Sequence, residues 1–537
     1  MANRRESGDA SCGKMKHQLS KAFLVFFGAW ITFCFACSRA PESAVTSGND
    51  SKNLRIATSY KIQNLDPLKS AHYFLVEYGV AELPLMLDND FNLKPWVLES
   101  YAPIDELNWR LILRSDVKFQ NGKPLTASAL AAAMNRQLEN SPSTKAVISG
   151  ATVKVTGMRE LILTTVDPNP NVPAALADED VFPVYDVEAI EAAGDDREKL
   201  MKSGGYTGAY KIASLDEREM KLAPNANYWR GQPPLSSVTV KFVPDNQARI
   251  LAVQNDETDV ALYPPTEAKR MLMNRTDAFF VTSERSGGGP RIVFNVRRQP
   301  FDDAVVRRAF SLGINYESLA KNVMDGVFDT ATGFYSTSFA WAIQNQKTDT
   351  EAAKRLLDEA GWQPGAGGVR SKNNDLLEAV FLVYPQQPDW TTLATAMQAQ
   401  LREIGFDIKI RHVDDINQAM KNTTDWSLAI NSPGILSSGG APDPSLREHF
   451  ATGGERNFGK ISDAELDRLI EELSRSFDAA KRTELLKRIQ QIVIEEKAYE
   501  VRPVFVRSRV IVGKKYRDYK PSPQLRHVTY DTRPVDN

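Results

Sequence analysis

Beyond residue 37 the sequence contains no cysteine: Cys12, Cys34 and Cys37 are all there are in 537 residues. The remaining 500 residues therefore have neither a disulfide framework nor a thiolate metal site. Histidine is also scarce, with five in the chain, and no two stand at the i, i+4 spacing that places two imidazoles on one helix face. There is no G-x-S-x-G elbow, no H-E-x-x-H and no phosphate-binding Gly-rich loop, so the common hydrolase and nucleotide signatures are missing. No Lys/Arg block lies outside the extreme N-terminus and the formal net charge is −2. A phosphate track is thereby excluded, and nucleic acid is not an expected partner. Internal repeats and low-complexity segments are lacking too. What remains is an ordinary globular composition, 42% apolar and 25% charged, on a chain long enough for two to four domains.

The N-terminus is the first informative segment. Lys14, Lys16 and Lys21 precede residues 22–36, a run without charge. A helix spanning a bilayer needs about 20 apolar residues, so this run is short for a span and right for the core of an export signal. Cys34 and Cys37 form a C-x-x-C, but it ends an apolar run and has no strand-helix context, which argues against a redox pair. Ala36, a small residue, stands directly before Cys37. The segment resembles a lipoprotein signal, in which Cys37 would become the lipidated N-terminus. Cys34 and Phe35 depart from that pattern, and cleavage elsewhere or an uncleaved anchor is the alternative. Residues 1–36 are read as the signal and 37–53, rich in Ser, Ala, Gly, Asn and Asp, as a flexible tether. Removing residues 1–36 leaves 61 Lys and Arg against 66 Asp and Glu, a mildly acidic domain held at the outer face of a membrane.

Further along, periodicity predicts a mixed α/β chain. Strands are expected at 54–58, 109–113, 151–155, 161–165, 238–243, 292–295, 377–383, 407–412, 427–431 and 500–506. The 109–113 strand is expected to form a hairpin-like pair with 116–119, followed by an Asn121-Gly122 turn. Helices are expected at 71–87, at 127–138 behind an N-cap at Thr126, and at 303–314, 317–324, 350–360, 393–404, 463–477 and 480–496.

Several stretches then resemble one family. Gly205-Tyr206-Thr207-Gly208-Ala209-Tyr210-Lys211 precedes Ala223-Pro224-Asn225-Ala226-Asn227-Tyr228-Trp229. Trp109 to Phe119 leads into Asn121-Gly122-Lys123-Pro124-Leu125-Thr126-Ala127, and Pro300-Phe301-Asp302-Asp303 precedes Val306-Arg307-Arg308-Ala309-Phe310. Ala353 to Trp362 and Gln398 to Gly405 complete the set. In order and spacing they are similar to the family-5 extracytoplasmic solute-binding proteins of ABC importers, the dipeptide, oligopeptide and nickel-binding group. The resemblance implies a type II periplasmic-binding-protein fold, two α/β lobes joined by hinge crossovers with a third domain inserted. Domain I would take 54–95, 205–285 and 500–537, the inserted domain II 96–204, and domain III 286–499. It also implies a small-molecule ligand held between the lobes and delivered to a permease–ATPase complex, with no cofactor, no resident metal and a monomeric state.

Ligand choice is less determined. The resemblance places an amine-binding Asp of the peptide binders three residues before the Asp443-Pro444 step, where this chain has Gly440. The His that follows that step in nickel binders is Ser445 here. Candidate ligand contacts are Tyr60, His72, Tyr73, Asp178, Asp180, Arg291, Ser437, Ser438 and Asp443. The acidic run at 178–180 would favour an amine or cation, or be merely a solvated loop. A peptide or peptide-like solute is the first expectation, a nickel or other metal chelate the second, and a secreted hydrolase a remote third. The carboxylate pairs Asp302-Asp303 and Asp414-Asp415 are adjacent in sequence, and the resemblance places Asp302-Asp303 at a helix start, where Asp caps the helix.

Overall fold

The computed structural model describes residues 52–535 apart from Gln63, 70–72 and 433–438. Three sheets organise it. The first has eight strands, in the order Ala278–Gly288, Val504–Gly513, Val260–Leu262, Asn53–Thr58, Ser237–Phe242, Glu219–Pro224 and Tyr210–Leu215, with Asp329–Thr330 added beside Val504–Gly513. Asn53–Thr58 lies between two parallel partners, Ile56 opposite both Val240 and Val260. Leu54, Ile56 and Ala57 are accordingly sealed from water, as a strand covered on both faces requires. The second sheet is antiparallel and four-stranded, Leu98–Pro103, Asn108–Leu113, Glu160–Thr164 and Thr152–Val155. Helix Ala127–Asn140 packs on it, begun by Thr126, whose hydroxyl accepts the Ala129 N–H. The third sheet has five strands, Asp407–His412, Glu378–Val383, Leu428–Asn431, Arg291–Phe294 and Glu500–Val501.

Each sheet has its own apolar core. Val238, Val240, Leu262 and Val510 belong to the first, Leu111, Leu161, Leu130 and Met134 to the second, and Phe294, Phe381, Leu428 and Leu393 to the third. Helices Ala464–Arg475 and Ala479–Gln490 form a further layer. Leu466, Leu469, Ile470 and Leu473 recur at helical spacing on the buried face of the former. Asp303 accepts a backbone N–H at a helix start, as expected, and Asp415 does the same at the helix Ile416–Asn422.

Three expectations are corrected. The helix predicted over 71–87 is confined to Phe74–Glu77. Gly79, with φ +69°, ends it, and the chain after Pro84 enters a short strand, Leu85–Leu87, paired with Leu93–Pro95. Residues 116–119 do not pair with the 109–113 strand, whose neighbours are Leu98–Pro103 and Glu160–Thr164. The Asn121-Gly122 turn does form, closed by Phe119 N–H on the Lys123 carbonyl and a bridge from Lys118 to Pro124. The strand predicted over 500–506 is two strands in different sheets: Val501 pairs with Ile292, and Val506 with Gly288. Pro503 lacks the N–H that a continuous ladder would use.

That break marks a passage between the first and third sheets. The chain crosses there at 502–503 and, in the opposite direction, at 289–290, directly alongside. A Cβ on Gly289 would stand 2.3 Å from the Val504 carbonyl oxygen, so only glycine lets the two crossings touch. Arg502 clips them: one guanidinium nitrogen donates to the Gly289 carbonyl at 3.3 Å. Glu500 lies between Arg502 (2.5 Å) and Arg291 (3.2 Å), all three side chains at most 3% exposed. The guanidiniums also face Phe334 and Phe450, at 4.7 and 5.6 Å from the ring centroids. Burial pulls Arg502 down to about 10, and the Glu500 charge opposes that pull. Removing the shared anion strands two buried cations, which typically costs about 3–5 kcal/mol. Glu500→Ala is expected to lower stability by about that amount in urea unfolding. A loss under about 1 kcal/mol would show that the guanidiniums do not depend on Glu500.

Candidate functional site between the lobes

A cavity of about 580 Å³ opens between the first and third sheets. The first lobe supplies Tyr60, Arg249, Tyr263 and Arg509, and the third-sheet lobe supplies Gln386, Asp389, Trp390 and Ser432. Residues 521–523 together with Leu525 and His527 complete the wall. A larger cavity, about 660 Å³, lies against Glu82, Trp96, Tyr228 and Tyr530 without any contribution from the third sheet. We take the interlobe cavity as the site because both lobes build it, so its shape changes whenever they move.

The lobes are held closed by buried polar contacts. Asp389 pairs with Arg509 at 2.6 Å and accepts the Thr266 hydroxyl at 2.9 Å. Arg482 donates to Asp443 at 2.7 Å and to Asn171 at 3.1 Å, joining the long helical layer to the segment after the second sheet. The Gly439 N–H donates to the Asp178 carboxylate at 3.3 Å. At Gly439 the backbones approach so closely that a Cβ would lie 1.7 Å from the Ala174 carbonyl oxygen.

The residues expected from sequence divide accordingly. Tyr60 lines the cavity, 46% exposed, with its ring edge-on to Tyr263 at 5.1 Å. Tyr73 is half-buried next to Phe74, and burial together with the Glu77 and Asp180 charges pushes its phenol up to about 12. Asp178 is buried on Gly439, and loss of hydration pushes its carboxyl up to about 7. Asp180 follows on the same turn, its N–H donating to Asp178 at 3.0 Å. Arg291 and Asp443 do not line the cavity: the first is engaged by Glu500 in the third-sheet core, the second by Arg482. Both sit where sequence registers them, but their charges are taken up inside the fold. His72, Ser437, Ser438 and the Cys37 lipidation site lie outside the described residues. His449 is buried, one ring nitrogen within 2.9 Å of the Ser445 carbonyl, a structural place.

Sequence reasoning missed Glu77, His527, Tyr263, Arg526 and Asp389. His527 is buried between Tyr263, whose hydroxyl is 2.9 Å from its Nε2, and Glu77 at 3.9 Å. Burial, reinforced by the neighbouring Arg526 charge, pulls the imidazole down to about 3, so it is neutral at ordinary pH. Arg526 pairs with Glu179. No local pattern announces these residues, because 77, 179, 263 and 527 meet only after the first sheet is assembled. Among the described residues no group of three His, Cys, Asp or Glu is arranged to hold a metal ion.

Comparison with known proteins agrees with this architecture. The sequence profile of bacterial extracellular solute-binding proteins, family 5 Middle, matches residues 92–457. The glutathione-binding protein GsiB of Salmonella typhi is 27% identical over 435 residues, covering 76% of this chain and 80% of its own length. The crystal structure of NikA from Staphylococcus aureus with Ni(L-His)2 superposes with a TM-score of 0.72 at 20% identity, over 90% of this chain and 100% of that one. The oligopeptide-binding protein AppA of Bacillus subtilis, with a nonapeptide bound, gives 0.68 at 20% identity, over 88% and 96%. With its two lobes, paired crossings and interlobe cavity, the chain belongs to the family-5 extracellular solute-binding proteins, which capture solutes outside the cytoplasm for ABC importers.

Proposed function

We propose that this protein captures a peptide or peptide-like solute in the interlobe cavity and presents it to its permease and ATPase. The observation that carries the reading is a cavity built by both lobes and lined by polar and aromatic groups, Tyr60, Gln386 and Trp390 among them. A peptide offers main-chain donors and acceptors together with apolar side chains and can engage both. At about 580 Å³ the cavity suits a short peptide. GsiB, named for a tripeptide thiol, and AppA, seen with a nonapeptide, make this class reasonable. The second reading is a metal chelate, favoured by the likeness to NikA. The described residues offer no metal cluster of their own, so a metal would arrive already complexed.

In this proposal 54–95, 205–285 and 500–537 form domain I, 96–204 domain II and 286–499 domain III, and the lobes turn about the passages at 289–290 and 502–503. The chain acts as a monomer, without catalysis, tethered through lipid on Cys37.

Binding is tested by thermal melting with a mixed tripeptide pool and, separately, Ni(L-His)2. The peptide pool should raise the melting temperature, since a ligand bound only by the native state stabilises it by mass action. A rise with the nickel chelate alone would overturn the peptide reading. Gly439→Ala should wedge the lobes apart at Ala174. Solution scattering should then show a larger radius of gyration, with the peptide-induced rise reduced or lost; an unchanged radius would refute closure at this contact.

Asp178 gives closure a pH dependence. Its carboxyl has an ordinary value near about 4 when unfolded and about 7 when buried. The native state therefore holds the proton more tightly, and this group's contribution is full below about 4 and lost as pH rises through about 7. Asp178→Asn should flatten the fall in melting temperature across that window; an unaltered profile would assign it to other groups. Finally, Cys37→Ser should release the protein from the membrane fraction into the soluble one, and retention would dismiss the lipid tether.

A further inference from the structure

We propose that Arg509, together with Arg249, forms a subsite for a carboxylate of the solute on the first-lobe side of the interlobe cavity. The inference rests on the peptide reading of that cavity. It narrows the reading to solutes with a free carboxylate, at a peptide C-terminus or on an Asp or Glu side chain.

The charged side chains that line the cavity are Arg249, Arg507, Arg509 and Asp389, while His527 is neutral. Cations thus outnumber the one carboxylate. Arg507 is paired with Asp329 at 2.7 Å. Arg249 is buried and has no carboxylate within ion-pair distance among the described residues. Its five N–H groups go to the carbonyls of Val243, Pro244, Leu262 and Tyr263 and to the Asn246 side chain, at 2.6 to 3.2 Å. Such oxygens solvate the charge without cancelling it. Asp245, bound to the Ala248 N–H, acts on Arg249 only from a distance. Residues 433–438, which follow the lining Ser432, include no Asp or Glu. A cleft lined mainly by one sign of charge focuses its field on whatever enters.

Arg509 is the member with a donor to spare. Its Nε donates to the Pro264 carbonyl at 2.8 Å and its Nη2 to Asp389 at 2.6 Å. Nη1 has no partner among the described residues and is not enclosed. The guanidinium carbon lies 5.0 Å from the Phe328 ring centroid, which steadies its plane. Asp389 and, more weakly, the exposed Glu267 answer part of its charge, but neither uses Nη1. Arg249 holds the carbonyls of Leu262 and Tyr263, and Arg509 holds that of Pro264, so the two guanidiniums flank one three-residue segment. A carboxylate on Nη1 would meet a charge-assisted donor, with the second cation beside it to offset repulsion from Asp389. It would share its guanidinium with Asp389 of the other lobe, so binding and closure meet on one side chain.

The test uses the full chain and three tripeptide pools. The first has free C-termini and no Asp or Glu, the second is C-terminally amidated without Asp or Glu, and the third is amidated with them. Native mass spectrometry measures retention, and the ratio between pools is the readout, since it cancels a general loss of closure. The wild type should retain the first or third pool about tenfold or more over the second. Which of the two is kept separates a terminal from a side-chain carboxylate. Arg509→Lys keeps the charge without the fork and should lose most of the preference. Asp389→Asn combined with Arg509→Gln removes both charges, strands neither, and should abolish it; Arg509→Lys is the readout if this double variant misfolds. Asp389→Asn alone should keep the preference. Its loss there would show that Arg509 serves only to hold Asp389 and would overturn the subsite. Equal retention of all pools, or an unaltered preference in the Arg509 variants, would also overturn it while leaving peptide binding intact. Retention of no pool would refute the peptide reading instead. Melting with citrate then decides the subsite: a rise in the wild type that the Arg509 variants lose supports it, and no difference refutes it.

Discussion

Glu500 holds one negative charge between two buried guanidiniums at the place where the chain passes twice between sheets. A buried ion triad of this kind adds little net stability relative to an apolar core, but it is unforgiving of partial removal. Its effect here is geometric. Arg502 touches the backbone of the other crossing, so the two passages are fixed at one distance and share one axis. Everything that depends on lobe orientation inherits that constraint: the cavity, the Asp389–Arg509 pair and the Gly439 contact. Each lobe keeps its own apolar core, so motion about the crossings need not disturb packing within either.

The closed form spends polar groups at the seam. Asp178 and Asp389 are buried where the lobes meet, and each receives a donor from across that contact. Such contacts discriminate between open and closed arrangements more than they stabilise the fold. A solute that touches both lobes needs only to tip this balance, since a ligand shifts an equilibrium by its differential affinity for the two states.

Much of the scaffold was legible from sequence. Period-two runs such as 109–113, the Thr126 cap and the apolar recurrence at 463–477 report local backbone physics, which survives without knowledge of neighbours. The errors share a cause. The pattern at 71–87 looked helical because apolar residues were counted across Gly79 and Pro84, where backbone restrictions outweigh hydrophobic spacing. The strand at 500–506 is continuous by composition and divided in space, which Pro503 alone signals. Of the candidate residues, Tyr60 lines the cavity and Asp178 meets Gly439 across the lobe contact, whereas the charges of Arg291 and Asp443 are taken up within the fold. Whether a charge is used inside or offered to a ligand depends on Glu500 and Arg482, partners that are remote or unregistered in sequence.

The wall formed by residues 521–523, Leu525 and His527 follows every strand of both lobes in chain order. It is pinned to the first lobe by the Glu77 carbonyl and by Tyr519, whose hydroxyl donates to the His527 carbonyl. The receptor pocket is therefore finished last. A chain shortened just after Gly513 would therefore keep every strand of both lobes and still lack one wall of the cavity.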